Sequence, residues 1–263
     1  MRNVIGIDIG GTKITGIVFN PSRPARAEVG GKKSVKELTI VTPKTAADFK
    51  RNLIKLVDFL SADVKISAVG ICMAGVIDVK HKVAVYSPNI KYIKNFDFKG
   101  LFGRKIKIAV ANDAKCFALA EAKLGQGKNY NSVVGVILGT GVGSGFVQNG
   151  KIYAGEHYGA GEVGQMLYDG KNTFESLFQK ARDSRNDKRL AKLVGVLLGN
   201  VCRAYDPDVV ILGGGVALDT KRKFVKGAKV ICAKTLSSYR IKPKIEVSKL
   251  KNAGAIGAAL LIM

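Results

Sequence analysis

Short apolar runs that end at glycine turns recur along the chain. Residues 4–19 have the pattern of two strands joined by the turn Gly10-Gly11, which is typical of a β-hairpin. The pattern returns at 133–148, around Gly139-Thr140-Gly141. Each hairpin is followed later by a helix and by another apolar strand that ends at glycines. The repetition predicts a duplicated α/β fold, with a cleft between two lobes.

The spacing of apolar residues predicts the other elements. Residues 45–60 carry apolar side chains at helical intervals, with Thr45 as the N-cap. A polar, proline-interrupted loop is expected over 20–36. Further strands are expected at 37–42, 66–72, 106–111 and 209–212, and further helices at 114–124 and 190–202.

Composition narrows the class of protein. A chain of 263 residues with 47% apolar residues can bury a large core. No stretch approaches the roughly 20 apolar residues of a membrane helix, and no charged-then-apolar leader precedes the first strand. We therefore expect a cytoplasmic protein. Its 4 cysteines form no C-x-x-C pair, so buried free thiols are expected rather than disulfides or a four-cysteine zinc site.

The formal net charge of +23 is unusual. A basic surface attracts nucleic acid, anionic lipid or a polyanionic substrate. The lysines and arginines are spread through every part of the sequence, which favours a solvated cationic surface. Non-specific binding of nucleic acid stays open, but specific recognition and membrane binding are not expected.

The first glycine turn carries groups suited to phosphate. Its glycines let backbone N–H groups approach an anion closely. Thr12 adds a hydroxyl, Lys13 a cation, and Asp8 is placed to bind Mg²⁺ through water. The alternative is a plain hairpin with a solvated aspartate. The candidate phosphate-binding residues of this turn are Gly10, Gly11, Thr12 and Lys13.

Two later turns extend this interpretation. The segment 138–145 is not a P-loop, because no Gly-Lys-Ser/Thr follows and strands flank it. Its alternating glycines could serve packing alone, but together with the first turn they favour phosphate binding. The strand at 209–212 ends in a triple-glycine turn, against which an adenine ring could lie. The candidate residues are Gly139, Thr140, Gly141, Gly213, Gly214 and Gly215.

Asp113 is the candidate catalytic base. It follows the apolar strand 106–111, and the carboxyl ends of such strands line the ligand crevice of α/β sheets. Phosphoryl transfer to an alcohol needs a carboxylate that accepts the hydroxyl proton. Read alone, the pair Asn112-Asp113 would be a helix cap. The glycine-rich loop 159–165 adds Glu162 and Gln165, which suit hydrogen bonding to vicinal sugar hydroxyls.

Together and in this order, the motifs resemble the ROK family (repressors, open reading frames and sugar kinases) of the actin/hexokinase fold. The resemblance runs from Gly6 to the closing segment 253–259, AGAIGAA. It includes 69–75, VGICMAG, the triplet Ser87-Pro88-Asn89 and the pair Asn95-Phe96.

The resemblance implies a two-lobed, duplicated actin-like ATPase (ribonuclease H-like) fold. We expect a small N-terminal α/β lobe over 1–112 and a larger one over 113–263, whose last helix, at about 253–263, packs back on the first. It also implies a homodimeric, Mg²⁺- and ATP-dependent kinase of a hexose or N-acetylhexosamine, with Asp113 as the base. The implied sugar-binding residues are Gly75, Asn112, Asp113, Glu162, Gln165 and Glu175.

The chain departs from the family pattern in two places. Gln165 stands where many members have histidine, and 168–175 lacks the cysteines that bind structural zinc with it, so no zinc is expected. Gln165 can still donate and accept hydrogen bonds. His157 could replace the histidine in space or be a solvated bystander. Only one or two helices fit between Glu175 and Asp206, which leaves the sugar and the dimer contacts open.

Two alternatives remain. Some relatives are sugar-responsive regulators, but their N-terminal helix-turn-helix has no room before a strand that begins at residue 4. The phosphoryl donor could also be inorganic polyphosphate, which some relatives use and which a cationic cleft would attract.

Overall fold

The computed structural model describes residues 3–20, 36–239 and 242–263. The interior of the loop expected over 20–36 lies outside these residues. The chain divides into two compact units, each described below by itself: Met1–Ala120 with Leu250–Met263, and Glu121–Lys249. These bounds differ from the expected lobes at 1–112 and 113–263, and that division stays a prediction.

The first unit is built on a five-stranded mixed sheet. Its strands are β1 (Asn3–Ile9), β2 (Lys13–Phe19), β3 (Glu37–Val41), β4 (Ile66–Met73) and β8 (Lys107–Asn112). They lie in the order β3-β2-β1-β4-β8. Strands β1 and β2 form the antiparallel hairpin, β3 extends it, and β4 and β8 run parallel to β1. The parallel strands therefore bring their carboxyl ends to one edge of the sheet.

Helix α1 (Ala46–Ser61) covers one face of the hairpin. It begins at Thr45, whose hydroxyl accepts the backbone N–H of Asp48 at 3.2 Å, which confirms the predicted cap. Phe49, Leu53 and Leu60 are completely buried along its inner face. Each contributes about 1.5–3 kcal/mol by burial, so tertiary packing rather than propensity holds this helix.

Paired glycines seat the last helix, α7 (Ala253–Leu260), on the same sheet. Gly6 and Gly70 face each other in the β1–β4 register. A Cβ on Gly6 would overlap the carbonyl oxygen of Ala255, and one on Gly70 would overlap that of Ala258. Side chains at these positions would push the helix off the sheet.

A small antiparallel sheet that the sequence did not predict lies between β4 and β8 in the chain. Its strands are β5 (Val76–Asp78), β6 (Val83–Tyr86) and β7 (Lys94–Asp97), in the order β5-β6-β7. Phe96 joins its outer strand to α1 through an edge-to-face contact with Phe49, with ring centroids 5.1 Å apart. Helix α2 (Asp113–Leu124) begins directly after β8.

The second unit repeats the sheet of the first. Its strands are β9 (Ser132–Leu138), β10 (Val142–Gln148), β11 (Lys151–Tyr153), β12 (Val209–Gly213) and β13 (Lys244–Val247). They lie in the order β11-β10-β9-β12-β13, with an antiparallel hairpin extended by one antiparallel strand and followed by two parallel strands. The predicted duplicated α/β fold is confirmed.

Helices α3 (Phe174–Asp183) and α4 (Asp187–Tyr205) occupy the stretch in which one or two helices were predicted. Helix α4 packs along α6 (Phe224–Thr235), and a short helix α5 (Gly215–Leu218) follows β12. Leu190, Leu198 and Leu212, all completely buried, belong to the apolar core of this unit.

All four cysteines are free and buried, which confirms the expected thiols; they are Cys72, Cys116, Cys202 and Cys232. In the described ranges, no helix combines the length and apolar character needed to span a membrane.

Candidate active site

The first glycine turn joins β1 to β2 at the edge of the sheet. The N–H of Gly10 donates to the carbonyl of Lys13 at 3.0 Å and closes the turn. Gly11 faces Asn89: a Cβ on Gly11 would lie 2.9 Å from the Asn89 Cβ and 3.0 Å from its carbonyl oxygen. The turn therefore needs glycine at position 11 because another segment of the chain packs against it.

Asp8 lies near the end of β1, half-buried beside the beginning of α7. A Cβ on Gly254 would lie 2.7 Å from the Asp8 Cγ, so this glycine gives the carboxylate its space. The Cys72 thiol donates to Asp8 Oδ1 at 3.4 Å. Burial raises the pKa of Asp8, an effect that the thiol hydrogen bond and the charge of Lys13 oppose.

Asp113 lies at the same edge of the sheet as Asp8. In the strand register Asp8 pairs with Cys72 and Cys72 with Ala111, and Asp113 comes two residues later. The buried Cys72 thiol has its pKa raised by burial and by both carboxylates. The structure thus brings the predicted magnesium residue and the predicted base together in one unit.

Asn112 and Asp113 lie at the beginning of helix α2, of which Asp113 is the first residue. The N–H of Ala114 lies 2.9 Å from Asn112 Oδ1 and 2.9 Å from Asp113 Oδ1. The Asn112 amide also donates to the Gly75 carbonyl at 3.3 Å. Gly75 has φ +123° and packs on the backbone of Tyr86 and Ser87, so only glycine fits there. Asn112 and Gly75, two predicted sugar-binding residues, are therefore in contact.

In the second unit, Glu175 and Gln165 form a hydrogen-bonded pair beside the second glycine turn. Gln165 ends a 3₁₀ turn (Val163–Gln165), and its amide donates to Glu175 Oε1 at 3.1 Å. Glu175 Oε2 accepts the N–H of Val142 at 2.8 Å. A Cβ on Gly141 would overlap this oxygen and lie 2.9 Å from Glu175 Cδ. Gly141 is thus glycine because the carboxylate occupies the place of its side chain.

Glu162 immediately precedes the 3₁₀ turn. The loop before it is fixed by Ser144, whose hydroxyl donates to the Gly161 carbonyl at 2.6 Å. His157 lies exposed further back in the loop. Within residues 3–20, 36–239 and 242–263, no group of three or more His, Cys, Asp or Glu side chains is arranged to hold a metal.

The third glycine turn lies beside the second. Gly213 pairs with Ile137 in the β9–β12 register, so both strands end at the same edge. Gly214, at φ +84°, packs against Leu138, where a Cβ would lie 2.6 Å from the carbonyl carbon. A Cβ on Gly215 would meet nothing within 4 Å. The predicted phosphate and adenosine turns of this unit are therefore adjacent, with open space above Gly215.

A cavity of about 420 Å³ lies at the other end of these strands, and neither glycine turn lines it. Its walls are Lys229, Cys232, Ala233, Leu236, Ser237, Tyr239, Lys242, Pro243 and Ile245.

Several residues of the site were missed in the sequence. Thr42 donates to the Gly10 carbonyl of the first glycine turn, and Arg182 donates to the Gly139 carbonyl of the second. Asn89 packs on Gly11, and Cys72 donates to Asp8. Asn89 and Cys72 lie within the segments that carry the family resemblance, which was the only signal for them. No local pattern distinguishes Thr42 or Arg182.

Comparison with known proteins gives consistent results. The model of the ROK family matches residues 4–182. An N-acetyl-D-glucosamine kinase from Haemophilus influenzae is 30% identical, with 81% of this chain and 84% of that protein aligned.

Two solved structures also match. The ROK hexokinase from Thermus thermophilus is 26% identical and superposes with a TM-score of 0.84, covering 98% of this chain and 97% of that one. An inorganic polyphosphate/ATP-glucomannokinase from an Arthrobacter species is 28% identical with a TM-score of 0.73, covering 100% and 98%.

Proposed function

Because the chain belongs to the ROK family, we propose that this carbohydrate kinase transfers the terminal phosphate of ATP to a hydroxyl of a hexose or N-acetylhexosamine, with Asp113 as the general base. The observation that carries the proposal is that Asp113 lies at the same carboxyl edge of the first sheet as Asp8, with β4 between their two strands. Relatives that are named as an N-acetyl-D-glucosamine kinase and a hexokinase support the acceptor class.

Asp113 would take the proton of the attacking hydroxyl. The new O–P bond forms as the bond between the transferred phosphorus and the ADP oxygen breaks, and the hydroxyl proton moves to the Asp113 carboxylate. The hydrogen bond from the Ala114 N–H fixes one oxygen of this carboxylate, which sets its orientation. Such positioning would contribute to the rate, because the reacting groups need no further ordering before the transfer.

The sugar would be held by Gly75, Asn112, Glu162, Gln165 and Glu175. Asn112 is oriented by its contacts with Gly75 and Ala114, and Glu175 by Gln165 and Val142. Side chains fixed in this way lose little freedom when they bind a ligand. The amide of Gln165 has both a hydrogen-bond donor and a hydrogen-bond acceptor, as does an N-acetyl group. N-acetylated sugars therefore suit this position as substrates.

The donor would be held at the glycine turns. The backbone N–H groups of Gly11, Thr140 and Gly141 suit phosphate oxygens, because those of Gly10 and Gly139 close their own turns. Lys13 adds a positive charge, and the open space at Gly215 suits the adenosine. Asp8 is the carboxylate that would hold Mg²⁺ through water, since a half-buried carboxylate at the carboxyl edge of the sheet offers the oxygen ligands that Mg²⁺ prefers. When bound, Mg²⁺ neutralises charge on the phosphates.

The test is ADP release with Mg-ATP and a panel of hexoses and N-acetylhexosamines. Asp113→Asn should lower kcat by roughly 10²–10⁴-fold while nucleotide still binds. Asp58→Asn, on the exposed face of α1, is the matched control and should behave as wild type. Sugar-independent background rates for all three proteins would refute the proposal.

A second candidate donor is inorganic polyphosphate. It is supported by the net charge of +23 and by the likeness to a polyphosphate/ATP-glucomannokinase. Turnover with ATP and with polyphosphate should be compared at two salt concentrations. Preferred use of ATP, with equal salt sensitivity for both donors, would exclude polyphosphate as the main donor.

The working state is expected to be a cytoplasmic homodimer. Sedimentation velocity across a concentration series tests the dimer, and a single species with the mass of one chain would contradict it.

A further inference from the structure

Side chains of α3 donate hydrogen bonds to the carbonyls of the second glycine turn. Arg182 Nη1 donates to the Gly139 carbonyl at 3.1 Å and also contacts the Thr140 carbonyl. The Gln179 amide donates to the same Thr140 carbonyl at 3.3 Å. Two consecutive carbonyls of the turn are therefore directed towards α3.

This arrangement fixes the direction of two N–H groups. In a planar trans peptide, the carbonyl and the following N–H point in opposite directions. When the Gly139 and Thr140 carbonyls face α3, the N–H groups of Thr140 and Gly141 face away from it. Across the described residues, neither N–H has a hydrogen-bond acceptor in the protein. Paired, unengaged N–H groups of this kind form an anion site.

Arg182 is itself held in one orientation. Its Nε donates to Asp183 Oδ1 at 2.8 Å, and its Nη2 lies 2.8 Å from the same oxygen. The remaining edge of the guanidinium, Nη1, faces the turn. A lysine ammonium lacks this fork and cannot make both sets of contacts at once.

The first unit has a counterpart to this arrangement. The Thr42 hydroxyl donates to the Gly10 carbonyl at 2.7 Å, which directs the Gly11 N–H away from Thr42. The Thr42 N–H donates to the Thr12 carbonyl at 3.0 Å. In both turns, side-chain donors bind the carbonyls and thereby direct the following N–H groups away from the donors. The donors differ: Thr42 in the first turn, Arg182 and Gln179 in the second.

We propose that Arg182 is a positioning residue that presents the Thr140 and Gly141 N–H groups to the oxygens of a polyphosphate chain, and that Thr42 does the same for Gly11. The inference rests on the proposed function, since it concerns the donor site of that reaction. The shared ligand chemistry is a chain of phosphates, either in a nucleoside triphosphate or as inorganic polyphosphate.

Calorimetric binding of Mg-ADP and of inorganic tripolyphosphate is the direct test. Arg182→Met should weaken both ligands by about 10–100-fold, as expected for loss of a charge-assisted hydrogen bond that orders the site. The KM for the phosphoryl donor should rise by the same factor while the KM for the sugar stays constant. Arg189→Met removes an equal charge from an exposed position of α4 and should leave binding unchanged.

Conservative variants separate positioning from folding. Arg182→Lys keeps the charge but should recover little affinity, and added guanidinium should partly restore binding to Arg182→Ala. If Arg182→Met does not fold, as judged by urea unfolding, Thr42→Val provides the same test. It keeps the side-chain volume at a buried site and removes only the hydroxyl.

The outcomes are distinguishable. Wild-type protein that binds neither ligand would overturn the proposed function itself. Only this inference would be overturned if the wild-type protein binds both ligands and the Arg182→Met and Thr42→Val variants bind them with the same affinity as Arg189→Met. Loss of Mg-ADP binding with tripolyphosphate binding unchanged would also overturn it, because the role would then lie with the nucleoside rather than the phosphates.

Discussion

Replacing Gly141 with alanine tests whether Glu175 determines the conformation of the second glycine turn. The new Cβ would lie 2.9 Å from Glu175 Cδ and overlap Oε2. The carboxylate must then retreat by about 1 Å to reach ordinary van der Waals contact. Its 2.8 Å hydrogen bond from the Val142 N–H would lengthen to about 3.8 Å, beyond the range of a hydrogen bond.

The expected cost follows from the bond that is lost. A hydrogen bond to a charged group contributes about 1.5–3 kcal/mol, so Gly141→Ala should lower the free energy of unfolding by that amount. Gly139→Ala is the matched control in the same turn, because a Cβ there meets nothing within 4 Å. It should change the stability by less than about 0.5 kcal/mol.

A double-mutant cycle isolates the interaction. In the Glu175→Ala background the bond is already absent, so Gly141→Ala should cost less than about 1 kcal/mol, and the coupling should be about 1–3 kcal/mol. Urea unfolding followed by circular dichroism gives all four stabilities. An equal cost of Gly141→Ala in both backgrounds would refute the steric reasoning.

Three further results are expected. Gly70→Ala should destabilise the chain by about 3 kcal/mol or more in urea unfolding, because its Cβ overlaps the backbone of α7, while Gly159→Ala, which meets nothing within 4 Å, should not. Thr45→Ala should cost about 1 kcal/mol by removing the N-cap of α1, and an unchanged unfolding midpoint would contradict this. Burial raises the pKa of Glu121 above its ordinary 4.5, so the native state binds more protons than the unfolded chain between 4.5 and the native pKa. Wild type should therefore lose stability relative to Glu121→Gln as pH rises from 4.5 through the native pKa, and a difference that is constant between pH 4 and pH 7 would rule this out.

Elements with a strong periodic pattern were predictable from the sequence. The two hairpins were found because apolar strands flank glycine turns, and α1 because its buried residues keep the helical period. The sheet β5-β6-β7 was missed because its strands have only three or four residues and are largely exposed, so no alternation stands out.

The glycine turns of the candidate site were predictable from the sequence, but the reasons for their glycines were not. Gly11 and Gly141 were selected as phosphate-binding glycines, yet the structure gives each a steric reason in a distant residue, Asn89 and Glu175. Such contacts join segments far apart in the sequence, so composition and local spacing do not predict them. Arg182 was missed because its contact with the second turn also joins distant segments. In addition, an arginine near the carboxyl end of a helix is common on solvated surfaces.

The most direct test of the central claim is the ³¹P NMR spectrum of a reaction mixture with Mg-ATP and the best sugar of the panel. With wild-type protein we expect ADP together with a new phosphomonoester signal coupled to sugar protons, and with Asp113→Asn we expect neither on the same time scale. Inorganic phosphate as the only new product, or an equal sugar phosphate signal from Asp113→Asn, would contradict sugar phosphorylation with Asp113 as its base.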